Sequence, residues 1–337
     1  MNIKSLLLGS AAALAVVSGA QAADAIVAAE PEPMEYVRVC DAFGTGYFYI
    51  PGTETCLKIG GEVRFTVGFS DGETTDGGES DDWGTDTRAR VTFETKSDSE
   101  LGTIGSYIRL QGDYSGNSDG SESFASDVWV EQAYISVGGF RVGKILTWVD
   151  DIGTASEGDA FISNARFNSA TYLYSADAFT VGLGVDDLSA YDAGAGVGIQ
   201  GVASATLGIA TLSMWAGYDF DAEEGFVVGE VAAEVGPGTF ELYAGYASDP
   251  STYASVAEWT VGAAYGFKAT EKLTITPSVN YWSDVGFLDG NDAWGAGILA
   301  EYALATGLTA SATVDYFDVD AADDGEWSGF VRLTRSF

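Results

Sequence analysis

The sequence predicts an all-β chain, a 16-stranded antiparallel transmembrane β-barrel with short periplasmic turns and long extracellular loops. Three observations predict it. Apolar and polar residues alternate with a period of two, the mark of strands with one dry and one wet face. Tight turns alternate with long acidic connections, the layout of an outer-membrane barrel. The first residues form an export signal and the last, Phe337, is aromatic; an aromatic ring suits the membrane–water interface. The composition agrees: 44 Gly supply tight turns, and 8 Trp, 17 Tyr and 18 Phe favour strands.

Residues 1–22 read as a signal peptide. Lys4 is a short positive region, an apolar run from Leu6 to Val17 follows, and Ala20-Gln21-Ala22 is a cleavage site of small residues. The apolar run is too short for a membrane anchor. Residues 23–55 read as a periplasmic-side leader with Pro31 and Pro33, and residues 56–337 as the barrel. Two cysteines, Cys40 and Cys56, stand 16 residues apart. In an exported chain such a pair reads as one disulfide, the alternative being two free buried thiols. Closing a loop of this size contributes ~3 kcal/mol in the chain-entropy model.

The first barrel strand has the clearest alternation. Leu57, Ile59, Val63, Phe65, Val67 and Phe69 share one face; Lys58, Glu62, Arg64, Thr66 and Ser70 share the other. An acidic loop, 71–82, follows. A second strand near 87–96 sets Ala89, Val91 and Phe93 against Arg88, Arg90, Thr92 and Glu94. After a turn at 97–100, a third sets Ile104, Ile108 and Leu110 against Tyr107, Arg109, Gln111 and Asp113. Thirteen more are expected near 126–137, 140–146, 168–176, 179–187, 197–206, 209–219, 225–235, 239–247, 255–268, 273–283, 292–304, 308–318 and 326–337. Residues 193–218 carry no charge but are broken by Gly194, Gly196, Gly198, Gly201 and Gly208, so they read as two strands and a turn, not a membrane helix. In the last strand Trp327, Val331, Leu333 and Phe337 share a face; Arg335 on that face and Phe330 on the wet one break the pattern. Alternation alone does not say which face is inside.

Charge and absences narrow the function. The formal net charge is −35, and −36 once Lys4 leaves with the signal. Phosphate is repelled, which excludes nucleic acid as a partner. There is no histidine, so histidine triads, histidine–zinc sites and histidine general bases are absent. With no histidine to activate a serine nucleophile, neither an enzyme nor a cofactor is expected. Asp71-Gly72-Glu73, Asp81-Asp82 and Asp150-Asp151 are oxygen-rich, but no calcium-loop pattern is present, and solvated acidic loops are the simpler reading.

Tyr36 to Cys40, and then Gly46 to Cys56 with its Tyr47-Phe48-Tyr49-Ile50-Pro51-Gly52 core, resemble the opening of the alphaproteobacterial general porins of the Brucella and rhizobial type. The start of the signal, Gly139-Phe140-Arg141-Val142-Gly143 and the ending Val331 to Phe337 look like the same family. The resemblance implies an outer-membrane homotrimer, set in lipid and lipopolysaccharide, for passive diffusion of ions and small hydrophilic solutes. It implies that the third long loop folds inward, and that Phe337 is the assembly signal read by the barrel-insertion machinery.

That third loop is 147–167. It carries Asp150, Asp151, Glu157 and Asp159, with Trp148, Ile152, Phe161 and Ile162 to pin it to a wall. Arg64, Arg88, Arg90 and Arg109 lie on the wet faces of the first three strands, and Arg332 adjoins them once the barrel closes. A pore selects by diameter and by the charges at its narrowest point, so these nine residues are the candidate constriction. The bland alternative pairs each arginine with an acid such as Glu62 or Glu94. The acidic excess predicts weak cation preference. Glu131 and Lys144 are expected to point outward and to be buried at a subunit interface. The competing function is a structural or adhesive barrel with a plugged lumen.

Overall fold

The computed structural model describes residues 38–71, 82–117, 122–124, 128–156, 160–191 and 196–337. The signal peptide, Glu157 and Asp159 lie outside the described residues. Val39–Phe337 forms one compact unit.

Sixteen strands make its wall: β1 Cys56–Ser70, β2 Asp82–Ser99, β3 Gly102–Asn117, β4 Trp129–Val137, β5 Phe140–Leu146, β6 Arg166–Ser175, β7 Phe179–Asp187, β8 Val197–Leu207, β9 Ala210–Asp219, β10 Glu224–Val235, β11 Gly238–Ala247, β12 Ala257–Lys268, β13 Leu273–Val285, β14 Ala293–Ala305, β15 Leu308–Val319 and β16 Glu326–Ser336. Each pairs antiparallel with its sequence neighbours. The ring closes where β16 meets β1, with Val331 opposite Val67 and Ser336 opposite Glu62. Phe337 extends that seam: its N–H donates to the Gly61 carbonyl at 3.0 Å and its carbonyl accepts from the Gly61 N–H at 3.1 Å. Closure satisfies both sides of every strand, which an apolar solvent requires.

The expected strands are all present, with shifted ends. β2 and β3 run on to pair Asp98 with Thr103 and Ser99 with Gly102, leaving Glu100 and Leu101 as the turn. Polar residues ended the apolar alternation there, but ladder hydrogen bonds need no apolar side chain. Part of the expected 115–125 loop, Glu122–Phe124, folds back on Tyr114 to Gly116. The described part of the uncharged stretch, residues 196–218, yields β8, a turn at Gly208 and Ile209, and β9.

Two aromatic rows bracket the outer wall. At the long-loop end Trp294 packs on Tyr316 and Tyr316 on Trp327, and Tyr246 packs on Trp259. At the short-turn end Phe140 packs on Tyr172, and Tyr174 on Phe179. Between them the outward face is exposed aliphatic surface, including Val63, Val67, Leu242, Val261, Val279 and Val331. Paired aromatic belts around an apolar band mark a bilayer slab. The main core lies inside the ring, where loops pack on β8 to β11.

The leader loop folds as the cysteines predict. Cys40 and Cys56 are disulfide-bonded, with Cα atoms 6.0 Å apart. Phe48–Tyr49 pairs with Leu57 and Cys56. Tyr47 is buried beside the disulfide, with the amines of Lys58 and Lys96 at 5.8 and 5.2 Å from its ring. Both lysines belong to the wet faces of β1 and β2, so the loop lies against the lumen side of the short-turn end.

Candidate pore constriction

The third long loop, 147–165 (L3), enters the barrel. Its neck is closed by Thr147, whose N–H and hydroxyl both donate to the Ala165 carbonyl, at 2.8 and 2.9 Å. A 3₁₀ turn, Trp148–Asp151, follows. Trp148, Val149 and Phe161 are buried among Trp215, Val228, Tyr243 and Tyr253. Burial of these apolar rings away from water holds the loop inward. Two glycines make the room: a Cβ at Gly182 would lie 2.8 Å from the Trp148 ring, and one at Gly245 would lie 2.9 Å from the Phe161 ring.

Polar contacts carry L3 further along the same wall. The Ala155 N–H donates to the Glu241 carboxylate of β11 at 2.7 Å, and the Trp282 indole N–H of β13 donates to the Ala160 carbonyl at 2.8 Å. The connection between β11 and β12 also folds in. Its Tyr253 carbonyl accepts from the Ser163 N–H at 2.8 Å, and its Thr252 carbonyl from Asn164 Nδ2 at 2.9 Å. The Tyr253 hydroxyl donates to Asp186 at 2.6 Å. No apolar period announces this second inward loop.

Asp150 and Asp151 are both solvent-exposed on L3. The surrounding protein, and then the neighbouring Asp150 carboxylate, push the Asp151 carboxyl above its ordinary range, with Arg141 partly offsetting this.

The arginines occupy the other side of the ring, on β16, β1, β2 and β3. Arg88 pairs with Asp113 at 2.6 Å. Arg90 donates to Gln111 at 2.5 Å and lies 3.4 Å from Glu62. Arg332 donates to the Thr66 hydroxyl at 3.3 Å, and its guanidinium carbon stands 3.8 Å from the centre of the Phe330 ring. That cation–π contact explains an aromatic residue on the wet face. Arg64 faces Arg88 in register; its Nε is buried without a hydrogen-bond partner, and it forms no ion pair among the described residues. Pairing with nearby acids therefore accounts for Arg88, Arg90 and Arg109, but not for Arg64. Glu94 pairs with Lys96 at 2.8 Å rather than with an arginine.

The expectation for Glu131 is wrong. Leu110 pairs with Val130 and Arg109 with Gln132, so Glu131 is an extra residue in β4. This β-bulge breaks the alternation, and Glu131 turns into the lumen, 0% exposed. Arg109 grips it with two nitrogens, NH2 at 2.6 Å, and Arg166 Nε donates to it at 2.8 Å. Lys144 pairs in register with Ala133 and Asn168, and its amine donates to the Val130 carbonyl at 2.9 Å. Arg166 lies within the expected loop range yet was not among the candidate residues; a cation at the foot of an acidic loop was the available signal.

Comparison with known proteins decides the family. The family described as Porin subfamily matches residues 24–332. The chain belongs to this porin family. Outer membrane protein IIIA of Rhizobium leguminosarum bv. viciae is 40% identical, the match covering all of this chain and 95% of the relative. Porin Omp2a of Brucella canis is 34% identical, with all of both chains covered. The outer membrane channel DcaP of Acinetobacter baumannii shares the fold, with a TM-score of 0.68 at 12% identity over 86% of this chain and 99% of that one. This porin is an outer-membrane protein, and its barrel is a channel. The resemblance drawn from the Cys40–Cys56 segment thus holds over the whole length.

Proposed function

We propose that this porin passes ions and small hydrophilic solutes by passive diffusion, with weak cation preference. Its narrowest zone lies between L3 and the arginine wall. Asp150 and Asp151 present acid on one side, and Arg64, Arg88, Arg90, Arg109 and Arg332 present cations on the other; Glu157 and Asp159, outside the described residues, belong to the same loop by sequence and complete the proposed acidic set. One observation carries this reading: L3 is fastened to β7–β13 on its own side of the lumen, and the arginines stand on β16–β3. Opposed charge rows orient water and disfavour apolar solutes. The acidic excess outweighs the partly compensated arginines and favours cations. No catalytic role is proposed.

The assembly is a homotrimer in lipid and lipopolysaccharide, with Lys144 at a subunit contact and Phe337 as the signal for the insertion machinery. Residues 1–22 are the export signal, 23–55 the periplasmic-side leader and 56–337 the barrel. Planar-bilayer recording tests the channel reading: stable conductance steps support it, and a silent reconstituted protein supports the plugged, structural barrel instead. Cross-linking or native mass measurement of three chains tests the trimer.

A further inference from the structure

The β4 bulge sets two successive side chains, Glu131 and Gln132, on the lumen side. They grip opposite roots of L3. Gln132 Oε1 accepts from the Leu146 N–H at 3.2 Å, just before the loop leaves β5. Glu131 accepts from Arg166 Nε at 2.8 Å, just after the loop rejoins the wall as β6. Glu131 also accepts from Nε and NH2 of Arg109, and Arg90 NH2 stands 4.0 Å from it. One buried carboxylate therefore joins β2, β3, β4 and β6, spanning the short strand β5.

We infer that Glu131 is the selectivity-determining residue of the pore wall: it cancels charge among Arg90, Arg109 and Arg166, and it holds the root of L3 to the arginine wall. The inference rests on the channel reading above. Its logic is electrostatic. The wall carries Arg64, Arg88, Arg90, Arg109, Arg166 and Arg332, and the ion pairs seen among the described residues bring Glu62, Asp113 and Glu131 to Arg88, Arg90, Arg109 and Arg166. Glu131 is the most heavily engaged, and it is fully shielded from water. A charge held in a protein wall is screened less by salt than an exposed one. Its removal exposes the lumen to guanidinium charge that the wild-type protein hides. The alternation of β4 gives no sign of this role, because the bulge alone turns Glu131 inward.

The test is Glu131→Gln in purified, reconstituted porin. The amide keeps the shape, and its one oxygen can still accept from Arg109 NH2 and Arg166 Nε although the bond from Arg109 Nε is lost; with β-sheet circular dichroism and single-channel noise equal to wild type, a purely structural role leaves selectivity unmoved. The expected result is a fall in the cation-to-anion permeability ratio of about threefold, the combined effect of one unit charge on a cation and on an anion seen through water at ~12 Å. Arg109→Gln should shift the ratio about threefold the other way by the same estimate. The double variant Arg109→Gln/Glu131→Gln should return close to wild type. An unshifted Glu131→Gln channel overturns the inference, as does an Arg109→Gln shift of the same sign. Should Glu131→Gln fail to assemble, the Arg109→Gln and double variants decide alone: no shift in the former overturns the inference. Wild-type protein without conductance overturns the channel reading itself.

Discussion

Replacing Phe161 with alanine should release the tip of L3. Phe161 is 2% exposed and packs among Val228, Tyr243 and Ala247, with the bare backbone of Gly245 beneath it. Truncating a buried Phe costs ~3–5 kcal/mol. The neighbouring polar anchors, Trp282 to Ala160, Ser163 to Tyr253 and Asn164 to Thr252, each contribute only ~1 kcal/mol net. With the Ala155 N–H on Glu241, they hold the loop backbone on both sides of Phe161, but each supplies less than the buried ring. A loss of ~3–5 kcal/mol shifts the docked-to-released ratio at least about a hundredfold. Single-channel recording should show larger, noisier conductance with weaker cation preference. The barrel itself should keep its β-sheet circular dichroism and its heat-modifiable gel mobility, because no wall strand is touched. Conductance and noise equal to wild type would refute the idea that apolar anchoring holds the loop in the lumen.

Other variants separate the remaining elements. Arg64→Gln should raise cation preference about twofold, since its charge has no paired carboxylate to release; Arg88→Gln should raise it more, because Asp113 is then freed, and reversal potentials of the two variants check the order. The Asp151 carboxyl has a raised pKa, so its ionised form opposes L3 docking at neutral pH and the opposition vanishes as pH falls through that pKa. Cation preference should therefore begin to drop above the usual aspartate range on acidification, and Asp151→Asn should remove that early step while making docking firmer at neutral pH but not at low pH. Replacing both Cys40 and Cys56 with serine should loosen the leader loop by ~3 kcal/mol; limited proteolysis should cut within 41–55, and conductance should rise because Tyr47 no longer packs on Lys58 and Lys96.

Much of the fold was legible because a bilayer leaves little freedom. Strand residues must alternate, so Val63, Phe65, Val67 and Phe69 announced β1 and its outward face. The cysteine pair was legible because two thiols in an oxidising compartment have few other fates. The blemishes in β16 proved informative: Phe330 stacks under Arg332, and the Arg335 guanidinium donates to the Thr306 carbonyl at 2.7 Å at the short-turn edge. The candidate site was legible only in part. Periodicity placed Arg64, Arg88, Arg90 and Arg109 on one wet face, but it could not say which acids would neutralise them. A bulge shifts the phase by one residue, so strict alternation points Glu131 outward whereas it faces in. Tyr253 was invisible for a different reason: its place depends on the cavity beside Phe167 and Phe226, which exists only once the barrel is closed. Side-chain pairing across a ring is a long-range property, and local pattern does not carry it.

The most direct measurement is the reversal potential of the purified wild-type porin in a tenfold KCl gradient. The account predicts stable conductance with a potential of the sign set by potassium, reduced toward zero when Asp150 and Asp151 are both changed to asparagine. A potential of the chloride sign, or one unmoved by those two changes, would contradict it.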